Sequence, residues 1–204
     1  MSQLKGNLSI ATNDHYWERL IQGDQTVLKV LYNQYATLLY NYGRYITQDA
    51  TLVQDCIHDL FLDLWNQHQS LSSTTAVKPY LYKALRRKIV AEERKITRQL
   101  TAPVSTDEYI DTQYLYEFPE AEPSEDVNKV RLTQALTALP KRQREVLSLI
   151  FFENLTRPEA AEVMGIDTRT IYSLTCRAIK SLRQDLVVVN PAVLLSCLLA
   201  LCYY

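Results

Sequence analysis

The stretch AAEVMGIDTRTIY, residues 160–172, decides how this chain is read. Helix-compatible residues run to Met164, Gly165 follows, and Asp167 precedes a second helical run. Glycine enters the left-handed conformation that closes a helix at little cost, and an aspartate before a helix accepts hydrogen bonds from its first free N–H groups. Just upstream, TRPE at 156–159 offers Thr156 as N-cap, Pro158 for the first turn and Glu159 to complete a capping box. The local chemistry therefore predicts two short helices joined by a tight turn.

In the second of these helices, predicted from about Thr168 to Arg183, Ile171, Leu174, Ala178 and Leu182 form an inward stripe. Arg169, Thr170, Tyr172, Ser173, Cys176, Arg177 and Lys180 are left for the outer side and the helix start. A helix-turn-helix lays its second helix in the major groove of DNA, with first-turn residues reaching base edges. Arg169 sits in that first turn, and an arginine grips guanine with two hydrogen bonds. Lys180 and Arg183, farther along, suit phosphates. An ordinary αα-corner with a solvated polar face has the same spacing, so the rest of the chain must decide between them.

Glycine occurs only at positions 6, 23, 43 and 165 of the 204 residues, which argues against turn-rich β architecture. Helical periodicity recurs along the chain. Between Asp24 and Tyr45 the stripe is Val27, Leu28, Leu31, Tyr35, Leu38 and Tyr42; between Ala50 and Gln67 it is Val53, Cys56, Ile57, Leu60 and Leu64. A third, basic helix begins near Pro79, and a short one leads from Tyr16 to Ile21. Residues 100–128 carry Pro103, Pro119 and Pro123 among acidic residues without a sustained period, the composition of an extended linker. Periodicity resumes with Leu132, Ala135, Leu136 and Leu139, breaks at Pro140, and continues from Arg144 to Phe152. The predicted fold is all-α: a helical domain at 1–99, an acidic linker at 100–128, a helix-turn-helix domain at 129–185 and an apolar tail at 186–204.

The formal net charge of −1 conceals segregation. Residues 78–98 hold eight basic side chains against Glu92 and Glu93; residues 100–128 hold eight acidic and no basic ones; residues 141–183 hold eight basic against five acidic. Two basic blocks flanking an acidic spacer fit a polyanionic partner despite the near-neutral sum.

Other chemistries lack their residues. Cysteines 56, 176, 197 and 202 form no C-x-x-C pair or zinc spacing, which fits a reducing, cytoplasmic setting. Asp55, Asp59 and Asp63 beside His58 lack a second facing ligand helix, so a solvated or docking face explains them better than a metal. With no glycine-rich phosphate loop and no Ser-His-Asp order, we expect no catalytic residues, no cofactor, no metal and no small-molecule substrate. The opening MSQLKGNLSI has no apolar core of a signal peptide, so secretion is not expected. The tail's apolar stretch after Pro191 is 13 residues, short of the ~20 that span a bilayer. Packing on the adjacent domain or contact with a membrane-bound regulator are its two readings.

Residues 132–183 resemble the promoter-binding C-terminal domain of extracytoplasmic-function sigma factors of the sigma-70 family, through Leu-Pro, Arg-Glu-Val-Leu, Glu-Ala-Ala-Glu, Met-Gly-Ile, Thr-Ile and Arg-Ala. Residues 30–65 look like that family's polymerase-binding helices, with Leu-Tyr-x-x-Tyr and Asp-x-x-x-Asp-x-Phe-x-x-x-Trp. PYLYKALRRKIVAEERK, from Pro79, is similar to its minus-ten helix. The resemblance implies a factor that directs core RNA polymerase to promoters and starts transcription. It assigns Asp55, Asp59, Phe61 and Trp65 to polymerase binding, and Tyr80, Tyr82, Lys83, Arg86, Arg87, Lys88 and Arg94 to the minus-ten face. It assigns Arg169, Thr170, Tyr172, Ser173, Cys176, Arg177 and Lys180 to the minus-thirty-five helix. Unpaired bases stack on aromatic rings for ~1–3 kcal/mol each, a part open to Tyr80 and Tyr82, for either of which a place in the core is an equal reading. Arg87 stands where the family often has asparagine, His58 where it often has glutamine, and Cys176 where a larger polar residue is usual. Implied partners are core RNA polymerase and promoter DNA, with a membrane-bound anti-sigma factor as a third. The rivals are a helix-turn-helix regulator that acts without replacing sigma and a helical adaptor that binds only protein.

Overall fold

The computed structural model describes residues 15–74, 76–100 and 127–186, and every regular element among them is helical. Helix α1 covers residues 15–21, α2 Gln25–Ile46, α3 Ala50–Asn66 and α4 Val77–Leu100, with one 3₁₀ turn at His68–Ser70. The C-terminal unit follows as α5 Val127–Ala138, α6 Lys141–Leu147, a π turn Ser148–Phe152, α7 Arg157–Met164 and α8 Thr168–Leu186. Residues 101–126, most of the predicted acidic linker, and residues 187–204 of the predicted tail lie outside the described residues.

The boundaries follow from side-chain caps. Asp24 accepts from the Thr26 amide at 3.0 Å and ion-pairs with Arg19 at 2.6 Å. Hydrogen bonds from Thr26 and Arg19 stabilise the ionised form and hold its carboxyl down at about 2. Asp49 starts α3 by accepting from the Leu52 amide at 2.9 Å. Pro140 stands at the N-cap of α6, where its missing N–H costs nothing. The helix predicted from Arg144 to Phe152 begins earlier, at Lys141, and ends in the wider π turn, where the Glu153 amide bonds to the Ser148 carbonyl at 3.0 Å.

Trp17 and Leu20 of α1 close one end of the N-terminal core, and the Trp17 indole N–H donates to the Ser72 carbonyl at 3.0 Å. Leu31, Tyr35, Leu39 and Tyr42 of α2 meet Val53, Ile57, Leu60 and Leu64 of α3 and Leu81, Leu85 and Ile89 of α4. Leu38, expected on the α2 stripe, is exposed, and Leu39 takes the core position because it lies a full four residues beyond Tyr35. Each buried leucine-sized side chain contributes about 1.5–3 kcal/mol. Gly43 lets α2 and α3 approach: a Cβ there would stand 2.5 Å from a Val53 methyl.

Two separate bundles are predicted from the sequence, whereas the apolar cluster here is continuous. Val146, Leu149, Leu155, Ala160, Val163, Met164 and Ile171 of the C-terminal unit join the cluster built on α2, α3 and α4. A small second cluster, Leu139, Leu147 and Ala178, ties α8 to α5 and α6. Among the described residues, no helix is long and apolar enough to cross a membrane.

Candidate nucleic-acid interface

The turn between α7 and α8 is built as its sequence dictates. Thr156 and Glu159 form the capping box in both directions, the Thr156 amide reaching Glu159 Oε2 at 2.8 Å and the Glu159 amide reaching Thr156 Oγ1 at 3.4 Å. Gly165 is left-handed, with φ +66°, and a Cβ there would meet nothing within 4 Å. Backbone conformation, and not space, is what calls for glycine. Asp167 accepts from the Thr170 amide at 2.7 Å and from its hydroxyl at 2.8 Å. Those bonds, the hydroxyl's first, keep the Asp167 carboxyl below its ordinary range.

This frame fixes which side of α8 faces out. Ile171 and Ala178 are fully buried, Leu174 and Leu182 half-buried, and Thr175 is also buried, with its hydroxyl bonded back to the Ile171 carbonyl at 2.8 Å. Arg169, Tyr172, Cys176, Arg177 and Lys180 are exposed, while Thr170 and Ser173 are half-buried. Arg177 donates to Ser173 Oγ at 2.9 Å, and the Arg157 guanidinium lies over the Tyr172 ring at 5.6 Å. An open groove of about 510 Å³ runs along the helix, lined by Arg142, Arg169, Thr170, Ser173, Leu174 and Arg177. Arg142 and Arg157 were not among the expected residues. They lie 27 and 15 positions upstream of the residues they join, Arg169 and Tyr172, so no helical spacing connects them.

The α4 face is only partly open. Tyr80, Arg87 and Arg94 are exposed, with Tyr80 packed edge-on against Trp17 at 5.0 Å. Lys88 pairs with Asp63 at 2.6 Å. The other residues meet the C-terminal unit: Lys83 pairs with Glu162 at 2.8 Å, and Arg86 with Glu145 at 2.7 Å. Tyr82, assigned to the minus-ten face with the core as its other reading, is fully buried; its hydroxyl donates to Glu153, which Lys78 also contacts at 3.0 Å. On Glu145 the matching hydroxyl is that of Tyr42, at 2.9 Å. The two tyrosine rings lie 5.0 Å apart. Burial first, with Glu145 and Glu153 adding to it, pushes both phenols upward, so they stay protonated and donate.

On α3, Asp55 and Asp59 are exposed as expected, but Phe61 is buried edge-on against Tyr32 at 5.0 Å. It packs the helix and offers no surface, because it lies four residues beyond the buried Ile57, on the same inward arc. Trp65 is half-buried and stacked on His68 at 5.0 Å. Among the described residues no group of three or more His, Cys, Asp or Glu side chains is assembled to hold a metal ion. Burial pushes the Cys56 thiol up to about 11.

Comparison with known proteins agrees with this geometry. Residues 31–99 match the family described as Sigma-70 region 2, and residues 129–182 match that described as Sigma-70, region 4. RNA polymerase sigma factor SigV of Bacillus subtilis is 30% identical over 139 residues, covering 68% of this chain and 77% of SigV. The ECF RNA polymerase sigma factor SigL of Mycobacterium tuberculosis is 25% identical over 169 residues, 80% of this chain and 90% of SigL. BldN of Streptomyces coelicolor, another ECF sigma factor, is 26% identical over 167 residues; the match covers 82% of this chain and 63% of BldN. The fold is shared with the sigma factor RpoE in its co-crystal with the anti-sigma factor NepR from Bartonella quintana, at TM-score 0.59 and 21% identity, covering 79% of this chain and 98% of RpoE. It is shared too with CnrH in complex with the cytosolic domain of CnrY, at TM-score 0.58 and 18% identity, covering 87% and 98%. The chain belongs to the sigma-70 family, among the extracytoplasmic-function sigma factors that direct RNA polymerase to promoters for the initiation of transcription. Proteins of this family are DNA-binding regulators and not catalysts.

Proposed function

We propose that this chain works as two surfaces on one promoter. The N-terminal unit, residues 1–99, docks on core RNA polymerase through Asp55, Asp59 and the exposed edge of Trp65. Tyr80, Lys83, Arg86, Arg87, Lys88 and Arg94 of α4 then hold the separated minus-ten strand. The helix-turn-helix unit, residues 129–185, anchors on minus-thirty-five duplex through Arg169, Thr170, Tyr172, Ser173, Cys176, Arg177 and Lys180, with the acidic stretch 100–128 as tether. The work is binding alone: no bond is made or broken by this chain, no cofactor is needed, and the setting is the cytoplasm, where polymerase and DNA meet.

One observation carries this reading: the capped α7–α8 turn supports a helix whose outer side presents Arg169, Tyr172, Arg177 and Lys180 beside an open groove. A bidentate arginine–guanine contact discriminates by about 1–3 kcal/mol, and the lysine and remaining arginines add a salt-dependent phosphate term. An anti-sigma partner is part of the proposal because RpoE and CnrH are each seen bound to one, NepR and the cytosolic domain of CnrY. For this chain we place that partner at the membrane.

Reconstituted transcription tests the reading. Core polymerase plus this chain, supplied with a library of promoter-length genomic fragments, yields transcripts with defined start sites that disappear with Arg169→Ala/Arg177→Ala. DNA binding without such transcripts replaces it with a regulator that acts beside another sigma factor. Absence of both leaves a protein-binding adaptor.

A further inference from the structure

Lys78, Tyr82, Lys83 and Arg86 line one side of α4, and each is met by a carboxylate of the C-terminal unit: Glu153 for Lys78 and Tyr82, Glu162 for Lys83, and Glu145 for Arg86. Glu145 and Glu153 are only 3% and 6% exposed. Burying a carboxylate costs several kcal/mol unless charge-assisted hydrogen bonds replace its water, and each of these two receives both a cation and a tyrosine hydroxyl from the N-terminal unit. The contact is therefore specific, with a ring of anionic oxygens set where nucleic-acid phosphates would otherwise pair with α4.

We propose that the C-terminal unit masks the nucleic-acid face of α4 with its own carboxylates, so that the chain exists closed, with Glu145, Glu153 and Glu162 on α4, or open, with phosphates on α4. This rests on the reading of α4 given above. The α8 face takes no part in the mask, since Arg169, Tyr172, Arg177 and Lys180 remain exposed in the closed arrangement. Duplex DNA thus binds the closed chain through α8, whereas single-stranded DNA finds only Tyr80, Arg87 and Arg94 of the α4 face open and engages the full face after the two units separate. Opening returns two buried carboxylates to water and releases Lys78, Lys83 and Arg86 together. A ligand that binds only the open form has its apparent affinity reduced by the open fraction, so loosening the mask tightens binding with no new contact made.

The test uses the full chain carrying Arg169→Ala and Arg177→Ala, which silences α8, and a fluorescein-labelled single-stranded DNA oligonucleotide as probe. Glu145→Gln/Glu153→Gln raises the affinity for the oligonucleotide by roughly tenfold or more, and the radius of gyration from small-angle X-ray scattering grows. Tyr42→Phe removes one hydroxyl from the mask without changing charge or emptying the core, and moves both readouts in the same direction by a smaller step. It decides the matter if circular dichroism shows the double variant unfolded. Equal affinity and equal radius in all three proteins overturn the mask and leave the proposed function standing. Variants that expand while none binds the oligonucleotide overturn the competition with nucleic acid along with the assignment of α4.

Discussion

Arg86 on α4 and Arg169 on α8 are both arginines on the polar side of an amphipathic helix. Arg86 keeps only 18% of its side chain in solvent and lies 2.7 Å from Glu145; Arg169 is exposed and borders an open groove. The same split runs through their neighbours. Tyr82 donates to a buried carboxylate, whereas Tyr172 keeps 58% of its surface and carries Arg157 over its ring. Two helices with similar basic character thus stand in different surroundings, one covered by carboxylates and one open.

The strongest way to break this comparison is DNA binding to duplex promoter fragments. Arg169→Ala/Arg177→Ala weakens it by roughly 30-fold or more, at about 1–3 kcal/mol for each of the two arginines, while Arg86→Ala leaves it within about twofold. Equal losses in a filter or anisotropy titration would erase the distinction between the faces. Stability reverses the order. Arg86→Ala strands a buried Glu145 and costs about 2–3 kcal/mol in urea unfolding, below the full loss for a buried pair because Arg86 is partly solvated. Arg169→Ala stays within about 0.5 kcal/mol, as surface substitutions do.

A smaller effect separates the supports of the faces. Thr156→Ala removes the hydroxyl that caps α7 and leaves only the backbone half of its box, costing about 1 kcal/mol, and hydrogen exchange speeds up in α7 and α8 before α4. The smallest is a pH effect at α8. The Asp167 carboxyl titrates below its ordinary 3.8, so its cap is complete above that pH and fades as pH falls through the lower folded value. Amide protection at Thr170 therefore holds down to about pH 4 and declines below it, and Asp167→Asn flattens that response.

Much of the architecture is legible along the chain. Thr156, Glu159, Gly165 and Asp167 act on neighbours within three or four residues, so the capped turn and the orientation of α8 follow from sequence. The core of α3, Val53, Cys56, Ile57, Leu60 and Leu64, follows from the helical period for the same reason. The burial of Phe61 and Tyr82 is not legible there, because a residue at the margin of an apolar arc goes inward or outward according to the helix laid beside it, which periodicity does not contain.

The sequence by itself determined the helices, their caps and the side of α8 that faces outward, since each depends on interactions closed within a turn or two. Tertiary structure alone decided that Glu145 and Glu153, ordinary surface residues by type, are buried against α2 and α4. Tyr42 and Glu145 are 103 residues apart, and Arg86 and Glu145 are 59 apart. A carboxylate enters a core only where a distant cation and hydroxyl arrive together to replace its water, and that meeting exists only once the chain has folded.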